Sequence, residues 1–134
     1  MNLLQSLFKP TQINKVGFED MKLAIHSPNY CIINTLPLNS QDCLIHSTIS
    51  YLVEEKTIND LISSYHSTKT RIIVYGQNAQ DDSGEKKVAQ LIQLGLENVS
   101  LYSGGLFEWI LLQDIYGQTQ FPTTTLVVDI LRFR

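Results

Sequence analysis

With 134 residues, 43% of them apolar and 17% charged, the chain has the size and composition of one globular domain with its own core, not of a disordered tail. A net charge of -3, spread along the length, excludes a dedicated nucleic-acid binder, which carries a basic face. The longest apolar runs, such as Trp109-Ile110-Leu111-Leu112, are far short of a membrane span, and the first residues lack the pattern of a signal peptide. A cytoplasmic domain that binds neither membrane nor nucleic acid is the expectation.

Taken in chain order, residues 1–12 form an apolar leader in which Leu3, Leu4, Leu7 and Phe8 suggest a short amphipathic helix stopped by Pro10. Phe18, Met21, Leu23 and Ile25 predict a helix over 18–25, closed by Ser27-Pro28-Asn29. Residues 30–36 are a continuous apolar strand of the kind buried on both faces of a parallel sheet. A polar turn at 39–42 leads to a short element around 44–50. A helix over 58–65 rests on Ile58, Leu61, Ile62 and Tyr65, and residues 72–75 are the next strand.

A polar loop then precedes a helix whose start is marked by Asp82 with Glu85 three positions on, the spacing of a capping box. Val88, Leu91 and Ile92 are its buried stripe, and Gly95 its left-handed stop. Residues 98–102 are the last clear strand. Segment 106–116 is apolar nearly all round, so it must bury a second face against the N-terminal leader, the C-terminal tail or a partner chain, with internal packing preferred. In the tail, Val127, Val128 and Ile130 favour strand whereas Thr125 suits a helix cap, and it stays unassigned. Strands alternating with helices predict an α/β domain with a central, mainly parallel sheet, right-handed crossovers and helices on both faces. Such sheets place ligands at the carboxyl ends of their strands, where the loop after Tyr75 lies.

Two features carry a resemblance. Leu94-Gly95-Leu96-Glu97-Asn98-Val99, followed by Gly104-Gly105 and Trp109, resembles the Leu-Gly-Phe-x-Asn-Val and Gly-Gly-x-x-x-Trp pattern of rhodanese-like domains. Upstream, residues 30–37 are similar to the family's strand ending in Asp-x-Arg, with Asn34 and Leu36 at those two positions. Residues 43–49 are similar to its Gly-His-Ile-Pro-Gly-Ala-Ile segment, keeping Ile45 and Ile49. The likeness spans roughly 13–116, with 1–12 before it and a C-terminal extension over 117–134, all in a single domain. It implies a sulfurtransferase fold in which Gly104, Gly105 and Trp109 are structural. His46 falls on the proline of the motif, not on its histidine, and is expected to be a partly exposed polar residue.

Active relatives carry sulfur on a loop cysteine held in a ring of backbone N–H groups before a helix N-terminus, where the thiolate is stabilised. Here the corresponding loop is Gly76, Gln77, Asn78, Ala79, Gln80, Asp81, Asp82 and Ser83, with no cysteine. The nucleophile's place falls to Gly76 just after the strand, or to Asn78 counted back from Gly95. The loop is longer than a sulfurtransferase loop and approaches that of Cdc25-like phosphatases, which need a cysteine and an arginine, both missing. Asp81, Asp82 and Glu85 are expected to cap the helix and fill the anion cradle. No catalytic residue, metal site or cofactor is therefore assigned.

Cys31 lies within a strand and is expected to be buried and inert, whereas Cys43, after Gln41-Asp42, is expected to be more exposed near the rim. The first functional expectation is a catalytically silent domain that binds or regulates a protein partner, whose identity and whose oligomeric assembly the residues do not specify. The alternative is a divergent sulfurtransferase or Cdc25-like phosphatase relative using a non-standard cysteine such as Cys43.

Overall fold

Side chains in a sheet point alternately to its two faces, and here both sets are apolar, so the sheet must be covered on both sides. The computed structural model describes residues 12–64 and 69–134. The elements are β1 (Asn14–Val16), α1 (Phe18–Ala24), β2 (Tyr30–Asn34), a 3₁₀ turn (Leu38–Ser40), α2 (Tyr51–Ser63), β3 (Arg71–Tyr75), α3 (Ser83–Gln93), β4 (Val99–Tyr102), α4 (Gly105–Tyr116) and a final 3₁₀ turn (Ile130–Phe133). The strands form one parallel sheet in the order β1-β4-β3-β2. On one face Ile32, Ile73, Tyr75 and Tyr102 pack with Met21 and Ala24 of α1 and Leu106 and Trp109 of α4. On the other, Cys31, Ile33, Val74 and Leu101 pack with Ile58 of α2 and Val88 and Leu91 of α3. Among the described residues no helix is long and apolar enough to cross a membrane.

The expected strands at 30–36, 72–75 and 98–102 all lie in this sheet, and the expected helix over Val88 and Leu91 is formed. Strand β2 ends two residues early because Asn34 turns its side chain back on the chain: its Oδ1 accepts from the Leu36 N–H at 3.0 Å. Helix α2 starts seven residues before Ile58. The Ser50 hydroxyl accepts from the Leu52 N–H at 3.2 Å, and the first turns keep Tyr51, Leu52 and Val53 exposed, so no apolar stripe announces them. Both the expected helix at Leu3, Leu4, Leu7 and Phe8 and the expected helix end at Tyr65 lie outside the described residues.

Residues 43–49 form no strand; they hold isolated bridges from Ile45 to Thr123 and from Thr48 to Ile32. Within them Ser47 stands where the family motif has glycine and has a positive φ of 73°, its hydroxyl donating to the Ile25 carbonyl at 2.8 Å. Gly95, at φ 104°, closes α3 as expected, with the Leu96 N–H reaching back to the Leu91 carbonyl.

The tail answers the question posed by α4. Phe121 and Phe133 are each 2% exposed, and the Trp109 indole donates to the Pro122 carbonyl at 3.0 Å. Gln113 binds the Phe121 carbonyl at 2.8 Å, while the Thr124 N–H donates to the Leu44 carbonyl at 2.8 Å. Residues 121–133 of this chain thus cover the second apolar side of α4 as far as Leu112, while Ile115 and Tyr116 at its end stay exposed.

Candidate functional site

Strand register places the site. Tyr75 pairs with Asn34 on one side and with Tyr102 on the other, so β2, β3 and β4 end at one edge. There Thr35, the loop 76–83 and Gly104-Gly105 converge. The loop hangs on α4 through its carbonyls: Leu106 N–H donates to Gly76 O at 3.0 Å and Phe107 N–H to Gln77 O at 2.9 Å. Two of the orphan donors at the start of α4 are satisfied this way. Gly105, at φ 71°, is required by that approach, since a β-carbon there would stand 2.8 Å from Gly76 O and 2.9 Å from Asn78 N.

Inside the loop one carboxylate takes the donors. Asp81 accepts from the Gln77 N–H at 3.1 Å, the Ser83 N–H at 3.0 Å and the Ser83 hydroxyl at 2.9 Å. The Ser83 hydroxyl also meets that of Thr35 at 2.7 Å, which ties the loop to the end of β2. Desolvation pushes the Asp81 carboxyl up, but the bonds from Ser83 and Gln77 more than reverse this and hold it below the usual carboxylate range. The capping expectation is corrected here. Asp82 precedes α3 but its side chain caps nothing; it pairs with Lys86 at 3.2 Å, and Glu85 pairs with Lys15 at 3.8 Å, both at the surface. The turn through Asn78 to Asp81 brings the earlier carboxylate, not Asp82, back over the N–H groups. One carboxylate fills the cradle, not three.

Asp81→Ala should therefore cost about 1–2 kcal/mol at neutral pH, read from urea melts. Because the folded-state pKa is depressed, the contribution is present above the unfolded value of about 3.9 and lost as pH falls through the lower folded value. The gap between the two proteins should close in strong acid. An unchanged gap there would show that Asp81 acts through packing and not through its charge.

The two candidate positions for a nucleophile differ. Gly76 is buried at the end of β3, where an added β-carbon would lie 2.9 Å from Asp81 Oδ2 and 3.2 Å from Thr35 Oγ1. Asn78 instead donates to the Phe133 carbonyl at 3.0 Å and accepts from the Gln80 N–H at 3.0 Å, with Gln77 also reaching Phe133 O at 3.4 Å. Ala79 and Gln80 are at the exposed tip. On the side of α2 and α3 an open cleft of about 540 Å³ runs past Thr35, Leu36, Tyr51 and Ser83 to Lys87, whose charge is already met by Glu54 at 3.0 Å.

Neither cysteine lies in the loop. Cys31 is buried as expected, and burial together with Glu54 pushes its thiol up to about 11. The expectation of an exposed Cys43 is overturned: it is fully buried, and its thiol donates to the Thr125 carbonyl at 3.5 Å. Its cover comes from the tail, 82 residues further on. Beside it the phenol of Tyr75, pushed up by burial, accepts from the Ile45 N–H at 3.0 Å and shares a 2.7 Å bond with Thr48, which fixes segment 43–49 on the sheet. His46 is exposed, its ring 6.5 Å from that of His26.

A parallel sheet covered by helices on both faces, with the loop 76–82 between β3 and α3 at its carboxyl edge, is the architecture of the sulfurtransferase fold. The chain belongs to the rhodanese-like domain family, whose model matches residues 39–112. No curated protein matches it. Among solved structures, the Alr3790 protein from Anabaena sp. is 24% identical with a TM-score of 0.59, over 87% of this chain and 96% of that one. The Saccharomyces cerevisiae single-domain sulfurtransferase RDL2 is 15% identical with a TM-score of 0.55, over 81% and 98%. Ygr203w, a yeast protein tyrosine phosphatase of the rhodanese family, is 13% identical with a TM-score of 0.57, over 92% and 100%. At these identities the likeness is one of fold.

Proposed function

We propose that this chain is a catalytically silent rhodanese-like domain that works as a binding or regulatory module for a protein partner in the reducing cytoplasm. The observation that carries the reading is Asp81, whose carboxylate lies across Gly76 and takes the N–H groups of Gln77 and Ser83. Sulfur or phosphoryl transfer needs a nucleophile at this edge and free donors for an anion. The loop has no cysteine, and two of its N–H groups, those of Gln77 and Ser83, are occupied by the protein's own carboxylate.

The alternative is an enzyme like the sulfurtransferase or phosphatase it resembles in fold, acting through Cys43. The burial of Cys43 beneath the tail weighs against it. Thiocyanate formation from thiosulfate and cyanide, set beside hydrolysis of an aryl phosphate, decides between the two. The expected result is no turnover above buffer with either substrate. Turnover that disappears in Cys43→Ser would establish the enzyme instead.

A further inference from the structure

The tail does more than cover α4. Phe133 sits in the core layer with Cys43, Trp109 and Phe121, while its carbonyl receives the side-chain amides of both Gln77 and Asn78. Next to it Arg132 clasps Asp42 with two bonds, at 2.6 and 2.8 Å, and the Thr125 hydroxyl binds the Asp42 carbonyl at 2.9 Å. The elements of this contact differ in strength. Phe133 is a buried anchor and Ile130 packs partly buried on the same layer, but the Arg132–Asp42 pair lies at the surface and Leu131, which precedes Arg132, is 54% exposed. An exposed ion pair is weak and screened by salt. Residues 121–125 are fixed by hydrogen bonds to Leu44, His46, Trp109 and Gln113, whereas 129–133 are held by Phe133, its carbonyl, the partly buried Ile130 and one surface cation, as a tethered peptide ligand would be.

Resting on the reading of a silent binding module, we propose that residues 129–133 are a displaceable strap, and that the place filled by Phe133 is the module's binding site for a peptide segment of the strap's own chemistry. Such a segment carries an arginine or lysine for Asp42, followed by an aromatic side chain whose backbone carbonyl meets Gln77 and Asn78. The tether gives the strap a high effective concentration, so a partner must compete for the site and binding is gated by strap release.

The native cysteines report on this. Cys43 shares its core layer with the strap's Phe133 and has Arg132 within electrostatic reach, its thiol resting on Thr125 ahead of the strap, whereas Cys31 lies in the opposite layer against α2 and α3. In the full chain, iodoacetamide followed by mass spectrometry should modify Cys43 about tenfold or more faster than Cys31, because the strap opens without unfolding the sheet. Arg132→Ala, at an exposed position, should speed Cys43 by about three- to fivefold and leave Cys31 unchanged. Millimolar acetyl-Asp-Ile-Leu-Arg-Phe-Arg-amide, the sequence of residues 129–134, should slow Cys43 again in that variant, and the same peptide with Phe replaced by Ala should not. Equal rates for both cysteines, with and without Arg132, would mean that the tail leaves only on global unfolding and would overturn the strap. A peptide without effect on the Arg132→Ala protein would overturn the binding site. Turnover of thiosulfate or aryl phosphate would sink the silent-domain reading by itself, leaving the labelling rates to stand or fall separately.

Discussion

Trp109→Ala is expected to destabilise the domain by about 3–5 kcal/mol in urea melts. The indole is completely buried and stands edge-on to two rings, Phe121 at 4.9 Å and Tyr102 at 6.2 Å. Removing it opens a cavity between α4, β4 and the tail, where neighbours fixed on three elements cannot all close in. It also removes the bond that the Pro122 carbonyl accepts from the indole N–H at 3.0 Å, leaving that carbonyl to the His46 N–H at 3.1 Å alone. Trp109→Phe should recover most of the packing and none of that bond, falling between the two. A loss below about 1 kcal/mol for alanine would mean that the tail collapses freely onto α4, which is incompatible with this packing.

How far the sequence foretold this arrangement depends on where each signal resides. Strands β2 and β3 were legible because Tyr30-Cys31-Ile32-Ile33 and Ile72-Ile73-Val74-Tyr75 are packed on both faces and so read as unbroken apolar runs, and β4 because Val99, Leu101 and Tyr102 are buried around a single serine. The edge strand β1 was not, since Asn14, Lys15 and Val16 are only three residues, two of them exposed. That a loop joins β3 to α3 was legible from the apolar strand and the helix start that flank it, but its interior was not. Asp81 and Asp82 are equally plausible caps on spacing alone, and the backbone turn at Asn78 to Asp81 decides between them. Cys43 was misplaced for a different reason. Its neighbours Gln41 and Asp42 are polar and partly or fully exposed, as they look, yet its own burial is supplied by Thr125 and Phe133, far along the chain. Local pattern carries local structure; a cover contributed by a distant tail leaves no mark near the residue it covers.

The same distinction governs what a restored cysteine would do. Gly76→Cys puts a thiol at the end of β3 with its β-carbon near Asp81 Oδ2, in a place where a thiolate meets a carboxylate instead of free N–H donors. Like charge and burial both disfavour the anion, so the thiol should titrate at or above about 8.5 in iodoacetamide rate profiles. Asn78→Cys should behave similarly, because that side chain is turned toward the Phe133 carbonyl, an acceptor that offers a thiolate nothing. Combining Gly76→Cys with Asp81→Ala changes the sign of the local field. The N–H groups of Gln77 and Ser83 are released at the N-terminus of α3, and the thiol should fall by about one unit or more, giving about tenfold more thiolate at neutral pH. Asp81 would then be the residue that silences the cradle, beyond the mere lack of a nucleophile. A single variant, Gly76→Cys, that already titrates well below neutral would contradict this, since it would show the donors open to an anion with Asp81 in place. Small-anion binding would then be the better account of the native loop.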